Sequence, residues 1–175
     1  MSFPSLASRS FPRLGAGKQA LWAATAVAAI LAGCGGSSAQ YRLVQGKGYS
    51  FDAPVGWTLV RTPRALGMQH GSVDLVQVTR LPLIRAYRPA LFRRVVPELD
   101  RAAKQLGEAA GARVVGRTVR VLGEPVRQYD LHFSERVEQL TFVLRDRLNF
   151  QLLCRRNADG DVAPCRRLVT SFRPD

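Results

Sequence analysis

The chain has 175 residues, with 26 lysines and arginines against 13 aspartates and glutamates and a formal net charge of +13. That length is enough for one domain with a proper core. Its two histidines, His70 and His132, lie far apart without a supporting cysteine or acidic cluster, which excludes a zinc site.

The N-terminal segment is basic and then apolar. Arg9, Arg13 and Lys18 precede ALWAATAVAAIL at residues 20–31, where only Thr25 is polar, and no acidic residue occurs before Asp52. As a helix rising ~1.5 Å per residue, this run falls well short of a hydrocarbon core of ~30 Å. A basic lead, a short apolar run and small residues after it predict a secretory signal peptide. The run closes on LAGC, residues 31–34, which resembles the lipobox of bacterial lipoproteins. The resemblance implies cleavage between Gly33 and Cys34, a diacylglycerol thioether on Cys34 with fatty acyl chains such as palmitate, and residence on the extracytoplasmic face of the cell membrane. Two acyl chains hold a soluble domain at a bilayer where one does not. Ordinary secretion with cleavage after Ala39, or an uncleaved anchor, are the alternatives. The expected organisation is a signal peptide at 1–33, a lipidated cysteine and flexible linker at 34–41, and one domain at 42–175.

Export disfavours nucleic acid as the partner of this basic chain, and no nucleic-acid-binding signature occurs. After Cys34 the basic residues are all arginine apart from Lys47 and Lys104, and they are spread without a dense block. Such a spread reads as a solvated surface, with attraction to anionic lipid or wall polymer as the functional alternative.

In chain order, residues 48–52 alternate as a strand, Ala53-Pro54-Val55-Gly56 reads as a turn, and residues 57–61 return, predicting a hairpin. Residues 62–72, with Pro63, Gly67 and Gly71, read as loop, and the β-branched run 73–80 as a strand. Residues 80–94, RLPLIRAYRPALFRR, are apolar and basic, broken by Pro82 and Pro89, and read as a loop. From Pro97 a helix is predicted, ended by Gly111, with Val96, Leu99, Ala103, Leu106 and Ala110 as its apolar stripe. Four runs of period two follow, at 114–122, 126–133, 137–144 and 148–154. The expected turns between them are Gly123-Glu124-Pro125, Ser134-Glu135-Arg136 and Arg145-Asp146-Arg147. Short polar links of this kind predict an antiparallel meander. Tyr129, Leu131 and Phe133, then Leu140, Phe142 and Leu144, then Leu148, Phe150 and Leu152 are its inward residues. Cys165, Leu168, Val169 and Phe172 mark one face of a closing helix.

These elements predict an α+β sandwich, an N-terminal hairpin plus a four-strand meander covered by two amphipathic helices. Their order, with GYSFDAPVGW, LGEPVRQYDLHF and CRRLVTSFRP, resembles the PsbP-like superfamily, and within it small actinobacterial lipoproteins of the LpqN type. The resemblance implies a non-catalytic binding or accessory role and supplies no catalytic residue.

With Cys34 assigned to lipid, Cys154 and Cys165 remain for a disulfide in an oxidising compartment, the alternative being two buried thiols. Asn157-Ala158-Asp159-Gly160-Asp161 hints at a calcium loop, but Leu168 stands where the twelfth-position acid belongs, so the loop reads as a turn with Asp161 capping the helix. Asp130, His132 and Ser134 could be assembled into a hydrolase site, yet no nucleophile elbow surrounds Ser134. Glu135 and Glu138 sit too near a turn to serve as an acid/base pair. No catalytic residue, metal or cofactor is expected. The candidate ligand or partner surface is Arg80, Arg85, Tyr87, Arg88, Phe92, Arg93 and Arg94, where arginine alternates with aromatic and aliphatic residues, as interface centres favour. The alternative is that its apolar members only pack the loop onto the sheet. The expected function is that of a membrane-anchored envelope lipoprotein, a non-enzymatic binding or accessory protein. Binding of anionic lipid or wall polymer, and envelope hydrolysis, are the alternatives.

Overall fold

A computed structural model describes residues 40–175. The segment expected to be a signal peptide, Cys34 and most of the expected linker lie outside the described residues. Strand β1 (Tyr41–Gly46) turns through Lys47 and Gly48, the latter at φ +81°, into β2 (Tyr49–Pro54). β2 is the centre of a three-stranded sheet, with β1 on one side and the short C-terminal β9 (Arg173–Pro174) on the other. The N-terminal hairpin is therefore built from 41–46 and 49–54, not from 48–52 and 57–61. β3 (Thr58–Arg61) instead leaves at Gly56, φ +88°, for a second sheet.

That second sheet has six antiparallel strands in the order β3, β4 (Ala65–His70), β5 (Asp74–Tyr87), β8 (Arg136–Asn157), β7 (Glu124–His132) and β6 (Arg113–Val121). Residues 62–72 are thus not all loop. Leu66 and Met68 are buried core residues of β4. A Cβ on Gly67 would stand 2.6 Å from the Val76 carbonyl oxygen, so this glycine permits close strand packing where the sequence reads as a breaker. Residues 80–94 are likewise not a loop. β5 continues to Tyr87, with a register shift between Pro82 and Tyr87, and leads through a 3-10 turn at Pro89–Leu91 into α1 (Phe92–Ala110).

The expected four-strand meander has three strands, because 137–144 and 148–154 are parts of the single 22-residue β8. Its first part pairs with β7 and its second with β5. Asp146, at φ +49°, interrupts the alternation between them. Phe142 therefore packs on one face of the sheet with Tyr129 and Leu131, whereas Val143, Phe150, Leu152 and Cys154 pack on the other.

Helix α1 begins five residues earlier than expected and holds Pro97 in its interior. Its buried positions are Ala103 and Gly107, and Leu106, expected in the apolar stripe, is 50% exposed. Gly107 is where helix and sheet come closest: a Cβ there would lie 2.1 Å from Cγ2 of Val114. α1 covers β6 and β7 on one face. On the opposite face lie β2 and the closing helix α2 (Ala163–Ser171), which buries Pro164, Cys165 and Leu168. Phe51, Phe150, Leu168 and Phe172 are almost fully enclosed there. A disulfide joins Cys154 of β8 to Cys165 of α2, with a Cα–Cα separation of 5.2 Å.

Candidate functional site

A cavity of about 390 Å³ opens between α1 and the far end of the sheet. Its walls come from four separate stretches: Tyr87 at the end of β5 with Pro89 after it, Phe92, Val95 and Leu99 of α1, Leu122 of the β6–β7 turn with Pro125 of β7, and Phe142 and Leu144 of β8. The volume falls in the range of small-molecule pockets, about 300–1,000 Å³, and the walls are largely apolar. The helical spacing of Phe92, Val95 and Leu99 puts all three on one side of α1. Asp146 sets the turn in β8 that brings Leu144 and Arg145 to the mouth.

Two arginines, Arg127 and Arg145, line the cavity. Arg88, Arg93 and Arg94 are exposed and follow Tyr87 and Phe92 in the chain, but are not on the lining. Glu124 and Asp146 are the carboxylates on the lining. Asp146 sits 4.0 Å from Arg145, with both side chains mostly in solvent, so the pair contributes little. Burial, with Glu124 nearby, raises the Tyr87 pKa and keeps its hydroxyl protonated. Beside the cavity protrudes the bulged stretch of β5, where Ile84 is 94% exposed, Arg85 is exposed, and the Ile84 carbonyl accepts a hydrogen bond from Arg147. An exposed isoleucine amid arginines suits a surface that meets both apolar and anionic groups.

Beneath the cavity, Arg127 is held by Asp100 of α1. Its Nε and one terminal nitrogen donate to the two carboxylate oxygens at 2.8 and 3.1 Å. The Tyr129 hydroxyl donates to the same carboxylate. Hydrogen bonding from Arg127 is the main cause that lowers the Asp100 pKa. Burial, then the bond to Asp100, pushes the Tyr129 hydroxyl pKa well above its usual value. This arrangement fixes α1 to the sheet and turns Arg127 toward the cavity.

The structure brings Arg85, Tyr87, Arg88, Phe92, Arg93 and Arg94 to one end of the molecule. Arg80 is not among them. It lies seven residues before Tyr87 on an extended strand, roughly 20 Å away at ~3.3 Å per residue, half-buried beside the β1–β2 turn. Sequence reading missed Val95, Leu99, Leu122, Phe142, Leu144 and Arg145, whose convergence depends on the bend in β8. Arg145 in particular reads from the sequence as part of a turn.

A second, more polar groove of about 410 Å³ lies between α2 and the face of β6, β7 and β8. Asp130 there accepts from both Arg117 and Gln139. It lies on the same strand face as His132, but no hydrogen bond joins His132 to Asp130 or to Ser134 among the described residues. The Asn157–Asp161 carbonyls that hinted at calcium turn onto a guanidinium. Arg156 donates to the carbonyls of Asn157, Ala158 and Gly160. Asp161 accepts from the Ala163 amide at 2.8 Å, but the N-cap position of α2 is Val162, one residue later than expected. Among the described residues no group of three or more histidines, cysteines or acids is placed to hold a metal, and no helix is long and apolar enough to cross a membrane.

No family model matches the sequence, and no curated protein matches it. Among solved structures, the chain is similar to the solution structure of cyanobacterial PsbP (CyanoP) from Synechocystis sp. PCC 6803, with a TM-score of 0.55 and 14% identity over 83% of this chain and 99% of that one. It is also similar to a crystal structure from Bacteroides thetaiotaomicron, with a TM-score of 0.47 and 11% identity over 78% of this chain. The match spans 48% of that longer protein. With its antiparallel sheets, its two helices and its match along nearly the whole cyanobacterial protein, the domain has a PsbP-like fold.

Proposed function

We propose that this chain is a non-enzymatic binding protein of the cell envelope, held on the extracytoplasmic face of the membrane by lipid on Cys34, and related to the LpqN-type lipoproteins. Its ligand is an anionic amphiphile. The observation that supports this most is the pairing of the apolar cavity under α1 with the arginines around it. The apolar part of the ligand enters between Val95, Leu99, Phe142 and Leu144, and its anionic group meets Arg145 and Arg127, the arginines on the lining. Arginine suits that role because its planar fork binds carboxylate and phosphate oxygens two at a time. The exposed Ile84 and Arg85 set the same end of the domain against the bilayer surface.

Co-sedimentation with phosphatidylglycerol and with phosphatidylcholine vesicles tests the reading. Binding to the anionic vesicles alone, weakening from low to moderate salt as exposed charges are screened, is expected. Failure to bind anionic vesicles at low salt would overturn it. An acidic wall polymer that binds equally well after the cavity is filled by Val95→Trp would replace the amphiphile with a purely electrostatic ligand.

A further inference from the structure

Strand β6 ends the six-stranded sheet, and among the described residues only β7 pairs with it. It has nine residues, contains no proline and stays in unbroken register with β7 from Arg113 to Val121. The strand at the opposite edge, β3, has four. A long, regular edge presents an unpaired row of N–H and C=O groups that templates another strand, and proteins blunt such edges with bulges, prolines, covering elements or charge. Helix α1 packs on one face of β6 without pairing with its edge, and the strand carries charge of one sign only: Arg113, Arg117 and Arg120.

Register places Arg113 opposite His132 and Arg117 opposite Gln128, on the face that carries Val115 and Val119 and borders the α2 groove. Across that groove stand Arg156 and Arg166. Its one carboxylate, Asp130, is already engaged by Arg117 and Gln139. Val115 is 39% exposed between Arg113 and Arg117. The edge thus offers backbone groups, an apolar side chain and unneutralised positive charge side by side.

We propose that β6 takes up an extended acidic segment of a partner protein by strand addition. Backbone hydrogen bonds along the edge supply affinity, and alternate side chains of the added strand, glutamate or aspartate interleaved with apolar residues, supply selectivity. A second copy of this chain fits poorly. Antiparallel pairing of two β6 strands centred on Arg117 sets that arginine opposite its own copy, and like charges directly opposite are destabilising. The edge meets the α1 cavity only at Val121, and the proposal does not depend on the amphiphile reading.

Hydrogen exchange of the full chain titrated with an alternating Glu-Val octapeptide tests this. Exchange should slow within residues 113–121 while β3 and α1 stay unchanged, and an alternating Lys-Val octapeptide should have no effect. Arg113 and Arg166 are exposed and in no ion pair among the described residues. The double variant Arg113→Glu/Arg166→Glu should therefore melt like the parent and bind the acidic peptide roughly tenfold more weakly or worse. Three results would overturn the proposal: no slowing of β6 by the acidic peptide, equal slowing by the basic peptide or by phosphatidylglycerol vesicles, or peptide-free slowing that grows with concentration as a dimer appears in sedimentation.

Discussion

The Tyr129 hydroxyl donates a 2.6 Å hydrogen bond to Oδ1 of Asp100, joining the middle of β7 to helix α1. Tyr129 is 2% exposed, so removing the acceptor leaves a buried hydroxyl without a partner. Asp100→Ala should destabilise the domain by about 1–2 kcal/mol, mostly from that orphaned hydroxyl, as read by urea unfolding. The ion pair with Arg127 adds little, because the Asp100 side chain is 41% exposed.

The Asp100 carboxylate also sets a pH dependence. Asp100 has a lowered pKa when folded, chiefly through Arg127, so its contribution is complete above the ordinary aspartate pKa of about 3.9 and disappears as pH falls through the folded value. The melting-temperature gap between the parent and Asp100→Asn should stay level down to about pH 5 and close in stronger acid. A gap that widens in acid would contradict this.

The disulfide between Cys154 and Cys165 closes a separation of 11 residues and joins β8 to α2. Cys154→Ala/Cys165→Ala should cost about 3 kcal/mol on the chain-entropy model. That corresponds to a fall in melting temperature of roughly 10 °C by calorimetry.

Two positions test the backbone account. Glycine-to-alanine changes inside helices usually stabilise by about 1 kcal/mol. Gly107→Ala should instead destabilise by about 1–2 kcal/mol net, because the new Cβ meets Val114. At Asp146, which holds φ +49°, Asp146→Gly should leave stability unchanged or higher, whereas Asp146→Val should cost about 1–2 kcal/mol. Both comparisons need only thermal melts.

The bend at Asp146 also shows where sequence reading succeeds and where it stops. The alternation of Leu140, Phe142 and Leu144 and that of Leu148, Phe150 and Leu152 were both visible, as were the polar residues between them. A turn and a bulge interrupt a period-two pattern alike, so one strand was read as two, and two opposite faces as one. α2 was legible because Cys165, Leu168 and Phe172 all bury on one side. α1 is legible from 97 on, but Pro97 reads as its start, whereas five helical residues precede it. β4 was hidden because Gly67 looks like a breaker until Val76 is seen packed against it. Of the candidate site, the arginine and aromatic residues from Arg85 to Arg94 were found in advance, since they are contiguous. The cavity they adjoin was not, because its walls meet only once β8 has bent and α1 has docked.

Methyl-resolved NMR of the protein titrated with monomeric decyl phosphate tests the ligand assignment most directly. The account predicts shifts concentrated on Val95, Leu99, Val126 and Leu144, abolished by Val95→Trp, weakened by Arg145→Glu, and much smaller with decanol. Shifts scattered over the surface, or confined to the groove beside α2, would contradict it.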